Sequence, residues 1–427
     1  MKPRIPLAGI AALTLVAVAA CGGGGSKSSA TDAATSHGAI NVWFSNNAQE
    51  VAWGKQAVDA WNAAHPTETV TSQEIPAGKT SEEVISASIT AGNAPCLIYN
   101  TSPAAVPNFQ AQGGLVPLDD FADGASYISA RSGEPAGQYK SPDGKFYQLP
   151  WKSNPVMLFY NKKIFEKAGI STTAPPLGTY AEFLDTAKKV VSSGAAKYAI
   201  FPSPSSQFFQ SWFDFYPMFA AESGGKQLVE DKKATFDSDA GKAVAGFWQQ
   251  LYAQNLAGKE AYTGDAFADG KAAMASVGPW AISVYKGKVQ WGVVSVPTQA
   301  GGAADQWTFS DAKNVAIYTA CTKRGTAWDF LKFSTSKEQD GKLLEMTGQM
   351  PLRQNLEQEY AAYFTANPQY KTFAAKAAHV VEVPNVPASV EVWQTFRDAW
   401  SNSVIFGKED PNKALSDAAT KINSLVK

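Results

Sequence analysis

The chain has 427 residues, and 37 Lys and Arg stand against 38 Asp and Glu for a formal net charge of −1, so it has no basic field of the kind that holds nucleic acid. Part of its 12 tryptophans, 15 tyrosines and 23 phenylalanines must be core, but flat aromatic faces also suit ligands that combine an apolar face with a polar rim. A body of this length exceeds the size at which one hydrophobic core keeps growing, so two lobes are expected.

Lys2 and Arg4 give the N-terminus a short positive region, and Ile5 to Ala20 holds no charge, which is the layout of a signal peptide over residues 1–20. The apolar run is shorter than the roughly 20 residues that span a hydrocarbon core. Val18, Ala19 and Ala20 directly before Cys21 resemble a bacterial lipobox. That resemblance implies cleavage before Cys21, acylation of its thiol, and anchorage at the extracytoplasmic face of the cell membrane; ordinary secretory cleavage beside a cysteine is the other reading. Residues 21–38, rich in Gly, Ser and Thr, cannot build an apolar face and read as a flexible linker.

Ile40 to Ser45 is a strand candidate followed by a polar turn, and a helical pattern runs from about Glu50 to His65, stopping at Pro66. Val84, Ile85 and Ile89 mark another helix that ends near Gly92, and Leu97 to Tyr99 reads as a buried strand. Val156 to Tyr160 is a strand, and Thr179 with Glu182 makes a capping box ahead of Phe183, Ala187 and Val190. Phe247, Leu251 and Tyr252 mark a further helix face. Lys271 to Ser276 leads into Gly278, Pro279 and Trp280, where a turn interrupts a helical pattern. Val289 to Val296 and Val315 to Tyr318 are strands, after which helices dominate. Strands alternating with helices predict an α/β fold with ligands held by loops at the carboxyl ends of strands.

The chemistry of an enzyme is poorly represented. Only three histidines occur, no HExxH or paired-cysteine spacing suggests a metal, and no GxSxG, GxxxxGK or GxGxxG fingerprint is present. No cofactor is expected. A pair of hydrolytic carboxylates has no fixed spacing in sequence, so a secreted carbohydrate-active hydrolase stays open as an alternative. Beyond Cys21 the chain has Cys96 and Cys321, which would tend to pair in an oxidising compartment; two buried unpaired thiols are the other outcome.

The segment GKFYQLPWKSNPVMLFYNKKIFEKAGI, Gly144 to Ile170, resembles the hinge passage of extracellular sugar-binding proteins of ABC importers, the maltose-binding type. AGNAPCLIY at Ala91 to Tyr99, FADGKAAMASVGPWA at Phe267 to Ala281, AWDFLKFSTS at Ala327 to Ser336 and VPNVPASVEVWQTFRDAW at Val383 to Trp400 follow the same family in the same order. The resemblance implies a two-lobed periplasmic-binding-protein-like fold, each lobe a mixed sheet flanked by helices. Lobe 1 would comprise residues 39–150 with 307–350, and lobe 2 residues 151–306 with 351–427. It also implies a monomer that closes on a mono- or oligosaccharide and delivers it, chemically unchanged, to ABC permease subunits. A binder of a non-sugar solute with the same fold is the alternative.

By the same resemblance, Trp280, Trp393 and Phe213, with Trp212 beside it, fall where the family stacks sugar rings. Core packing is the other reading of Trp393, because Trp393, Phe396, Trp400 and Val404 recur at helical spacing. Loop residues are the hydrogen-bonding candidates: Asn46, Asn47, Gln49 and Glu50 after the first strand, and Thr101 and Ser102 after the Leu97 strand. Trp151, Lys152 and Ser153 lie at the first hinge crossing, Ser310 and Asp311 at the return, and Arg353 in a later turn. Lys152 would donate to ring hydroxyls, and Asp311 or Glu50 would accept from them. Asn100 and Ser153 stand where the maltose-type pattern has Trp and Glu, and Cys96 where it has Asp, so a sugar other than maltose is favoured.

Overall fold

The computed structural model describes residues 34–45, 47–77, 80–202, 213–302 and 305–427. Cys21, Asn46 and Trp212, all expected to matter, lie outside the described residues. The described strands in chain order are β1 (Ile40–Phe44), β2 (Val70–Glu74), β3 (Leu97–Thr101), β4 (Leu149–Lys152), β5 (Met157–Asn161), β6 (Tyr198–Ile200), β7 (Val229–Glu230), β8 (Lys233–Ala234), β9 (Ala272–Val277), β10 (Trp291–Val294), β11 (Thr308–Phe309), β12 (Lys313–Ile317) and β13 (Val380–Val381).

Five of these form a mixed sheet in the order β2-β1-β3-β12-β4, with β1 parallel to β2 and β3, and β12 antiparallel to β3 and β4. Four others form the sheet β10-β5-β9-β6, in which β5 is antiparallel to both neighbours and β6 runs parallel to β9. Each sheet has its own helices and its own core, so the chain is two-lobed. β4 and β5 are buried along their whole length. That double-sided cover is why Met157 to Tyr160 reads as a continuous run of large apolar and aromatic residues rather than an alternation.

In the first lobe Trp53, Tyr99 and Trp151 pack together, with ring centroids 5.2 Å apart for Trp53–Trp151 and Tyr99–Trp151. In the second, Phe215, Phe396 and Trp400 do the same, 4.5 Å for Phe215–Phe396 and 4.9 Å for Phe215–Trp400. Local signals set the helix starts. Asn47 Oδ1 accepts from the amides of Gln49 and Glu50, which begins the helix Ala48–Ala64 two residues ahead of the expected start. The capping box of Thr179 and Glu182 is formed at the head of Tyr180–Ser192.

Two outcomes differ from, or go beyond, the sequence reading. Residues 272–277 are a strand rather than part of a helical pattern: Ala272, Ala273 and Met274 are fully buried between β5 and β6, and pairing on both sides overrides the helix propensity of alanine. Cys96 and Cys321 are bonded, their Cα atoms 4.5 Å apart, which ties the start of β3 to the end of β12.

Candidate functional site

Three crossing segments join the lobes, and the backbone fastens them to one another. The Ser153 amide donates to Met350 O at 2.9 Å, the Asp311 amide to Asn154 O at 3.0 Å, and the Val156 amide to Phe309 O at 2.9 Å. Ser153 and Ser310 hydroxyls meet at 2.9 Å, and Asn154 Nδ2 reaches the Asp311 carbonyl at 3.3 Å.

Beside this hinge lies a buried polar network. Lys152 Nζ, fully buried, donates to Glu50 Oε1 at 2.6 Å, Gln349 Oε1 at 2.8 Å and Asn100 Oδ1 at 2.9 Å. Asn100 takes a left-handed φ of 64° at the end of β3, a conformation asparagine tolerates better than most residues, and there its amide oxygen reaches Lys152. Glu50 also accepts from Ser45 Oγ at 2.7 Å and Gln349 Nε2 at 2.6 Å. Burial pushes the Glu50 carboxyl up, but Lys152 and these donors outweigh it and hold the group below the ordinary glutamate value.

A run of aromatic rings is packed in and against one core cluster. Phe213 lies 5.8 Å from Trp280 and 6.2 Å from Phe309; Tyr216 lies 4.8 Å from Phe309 and 5.2 Å from Trp393. Trp280 and Phe213 keep part of their surface exposed, whereas Trp393 is 1% exposed. Trp280 opens the helix Trp280–Tyr285, and its indole folds back over Gly278, where an added Cβ would sit 2.0 Å from the ring. Only glycine permits that approach.

Carboxylates gather where β3, β12 and the segment after β13 converge. Asp311 Oδ1 is 2.8 Å from Lys313 Nζ, and Glu82, which accepts from the Ser102 amide, also faces Lys313. Glu382 follows β13 and is 2% exposed; one of its oxygens has no hydrogen-bond partner. Burial, with Asp311 nearby and in spite of the Ser310 and Tyr139 hydroxyls, raises its carboxyl well above the ordinary glutamate value. Burial also raises Glu82. Burial works against the charge on Lys313, yet Asp311, Glu82 and Glu382 together raise its pKa.

The structure thus brings Phe213 and Trp280 together with part of their surfaces exposed, packs Trp393 into the core beside Tyr216 and Phe396, and places Asp311 in an acidic cluster with Ser310 and Ser102 near it. Thr101 is buried behind Ser102, and Gln49 stays exposed at the head of its helix. Several expectations need correction. Trp151 is core, wedged against Trp53 and Tyr99 with no exposed surface. Lys152 and Glu50 satisfy each other instead of facing solvent. Arg353 is bonded to Asp340 at 3.0 Å, alongside the buried pair of Arg131 and Asp340. Asn47 is spent on its helix cap. Phe309, Tyr216, Glu82, Lys313 and Glu382 were missed. Of these, only Glu382 stands out in sequence, as a lone charge in the apolar run VVEVP.

Residues 56–372 match the family described as bacterial extracellular solute-binding protein. The chain belongs to that family. Among its relatives is the maltodextrin-binding protein MdxE of Bacillus subtilis, 24% identical over 362 residues, covering 79% of each chain. Another is the sn-glycerol-3-phosphate-binding periplasmic protein UgpB of Rhizobium meliloti, 24% identical over 344 residues, 74% of this chain and 77% of the other. In fold, this member of the family is similar to the GacH receptor of Streptomyces glaucescens, with TM-score 0.76 at 23% identity, covering 91% of this chain and 98% of the other. Family members bind solutes, and no described helix here is long and apolar enough to cross a membrane.

Proposed function

We propose that this solute-binding protein takes a neutral mono- or oligosaccharide into the cleft between its lobes and hands it, chemically unchanged, to the membrane subunits of an ABC importer. The pair of part-exposed rings, Trp280 and Phe213 at 5.8 Å, beside the hinge and its polar groups, is the observation that carries the reading. A pyranose has an apolar C–H face that covers an indole and a rim of hydroxyls that seek acceptors. Trp280 and Phe213 supply stacking faces, Trp212 lies in the same stretch of chain, and Asp311, Glu82 and Glu382 supply acceptors. Ser102 and Gln49 complete the polar side.

The relatives include both a maltodextrin binder and a glycerol-phosphate binder, and the charge at the cleft separates the two chemistries. Lys313, the cation among these groups, is already held by Asp311, and Glu82 and Glu382 hold their protons more tightly than an ordinary glutamate, so the cluster offers a phosphate little to pair with. Neutral hydroxyls can both accept from such acids and donate to Asp311. Closure of residues 39–150 with 307–350 against 151–306 with 351–427 would desolvate these bonds and strengthen them. Lipid on Cys21 would keep the body within reach of its permease.

Calorimetry of residues 39–427 against a panel of saccharides and glycerol phosphate tests the reading, with each binder checked for hydrolysis. A saccharide should bind intact, and Trp280→Ala should weaken it by about tenfold or more. Tight binding of glycerol phosphate with no response to any saccharide would sink the proposal.

A further inference from the structure

Residues 34–38, the end of the stretch expected to be a linker, lie against the first lobe. Their side chains alternate: Ala34 packs against that lobe's core, Ser36 and Gly38 are half-buried, and Thr35 and His37 are exposed. Ser36 O accepts from the Gly325 amide at 3.0 Å, and the Gly38 amide donates to Thr326 Oγ1 at 3.0 Å. Lys323 Nζ reaches Ser36 Oγ at 3.3 Å, and His37 Nδ1 lies 2.9 Å from Glu68 Oε2, which also accepts from the Thr326 hydroxyl at 2.7 Å. We infer that these residues are a mooring strap: they fasten the root of the membrane tether to the first lobe, so that this lobe is held and the second is the one that swings. The inference rests on the reading of Cys21 as the lipid-bearing residue and adds to it a mechanical role for the chain that follows.

Two features make this a fitted contact. Gly325 is the second residue of the helix Arg324–Ser334, and the three atoms nearest an added Cβ there would be His37 Nε2 at 2.8 Å, Ser36 O at 2.9 Å and His37 Cε1 at 3.0 Å. All three belong to the strap. Alanine would suit the helix better than glycine, so the bare Cα is accounted for by the strap that crosses it. Thr326 is the second feature: fully buried, it accepts from the Gly38 amide and donates to Glu68 through one hydroxyl. The His37–Glu68 pair is partly exposed and would hold little by itself.

Position gives the strap its consequence. It runs directly into β1 and meets the first lobe at Lys323–Thr326, just beyond the Cys96–Cys321 bond, and at Glu68, just before β2. That is the edge of the sheet where β1, β2 and β3 begin, whereas the hinge network of Lys152, Glu50 and Asn100 gathers where β1 and β3 end. The tether therefore leaves the first lobe at the edge opposite the hinge network. Docking five residues also withdraws about 17 Å from the reach of an extended chain, so the distance to the membrane is set by the stretch between Cys21 and Ala34. A lobe moored at one edge on a shortened span keeps its orientation, and hinge motion is then carried by its partner.

Amide hydrogen exchange on the mature chain tests the strap. The Gly38 and Gly325 amides should exchange about tenfold or more slowly than in an unfolded peptide. Gly325→Ala, which presses a methyl group on the strap, and Thr326→Val, which removes the strap's acceptor, should each speed Gly38 by about tenfold while leaving solute affinity unchanged. With the mature chain on vesicles, energy transfer from a dye on the first lobe to labelled lipid should report a distance distribution that broadens in both variants. Gly38 exchanging at the peptide rate in the unaltered protein overturns the strap. A protected Gly38 with one and the same distance distribution in all three proteins overturns the mooring. A mature chain whose mass shows no lipid on Cys21 removes the anchor and overturns the mooring as well, and the exchange data then separate a failed anchor from a failed strap.

Discussion

Glu382 shows how much one side chain can hold in reserve. It sits where the segment after β13 passes between the lobes: its amide donates to Gln138 Oε1 at 3.1 Å, and its carbonyl accepts from Tyr216 OH at 2.7 Å. Tyr139, Ser310, Asp311 and Lys313 surround the carboxyl, and burial raises it well above 4.5. An acid raised on folding binds its proton more tightly in the native state. Its contribution is fully present below the ordinary glutamate value and is lost as pH rises through the raised one, at up to about 1.4 kcal/mol per pH unit in that window. Thermal melts of the unliganded protein between about pH 5 and pH 8 should therefore show stability declining with pH from this group, and Glu382→Gln should flatten the decline. An unchanged slope would mean that the carboxyl ionises freely. Legibility at this scale was uneven. Trp280 was singled out by the resemblance of its GPW turn to the family's stacking position. Phe309 and Tyr216 could not be found, since their place beside Trp393 depends on contacts between distant parts of the chain.

Among the elements, β3 and β12 have the most joined to them. β3 carries Asn100 to Lys152 at the hinge, β12 follows Asp311, and the Cys96–Cys321 bond pins the pair at the far end. That bond spans a sequence separation of 225, so reducing it restores much freedom to the unfolded chain. Urea unfolding with and without reductant should show a loss of roughly 2–5 kcal/mol. A midpoint that does not move would show that the antiparallel pairing of β3 and β12 suffices. Strands delimited by turns and helices with caps were legible, Tyr180–Ser192 above all, because a capping box is a local device. β9 was not: six residues, AAMASV, carry no clear alternation and a single branched residue, Val277, and burial between β5 and β6 makes them a strand.

For the whole molecule, two sheets of different order, each with its own core, were foreseeable from length and from the order of the family's segments. Which polar residues are free to meet a solute was not, because the hinge folds Lys152 and Glu50 inward onto each other. If the lobes close on a saccharide, small-angle scattering should give a smaller radius of gyration with the bound sugar than without it, and Trp280→Ala should need far more sugar for the same change. No contraction at saturating ligand would mean that binding and closure are separate events here. The crossing segments add a further condition. Because Ser153 is bonded to Met350, Asp311 to Asn154 and Val156 to Phe309, the linkers behave as a narrow ribbon rather than three loose strings. A ribbon bends about one axis and resists shear and twist. If the lobes close, they then have a single path along which to approach, much as the jaws of a caliper do, and a solute would be judged by whether its span matches the one gap at which both jaws touch it.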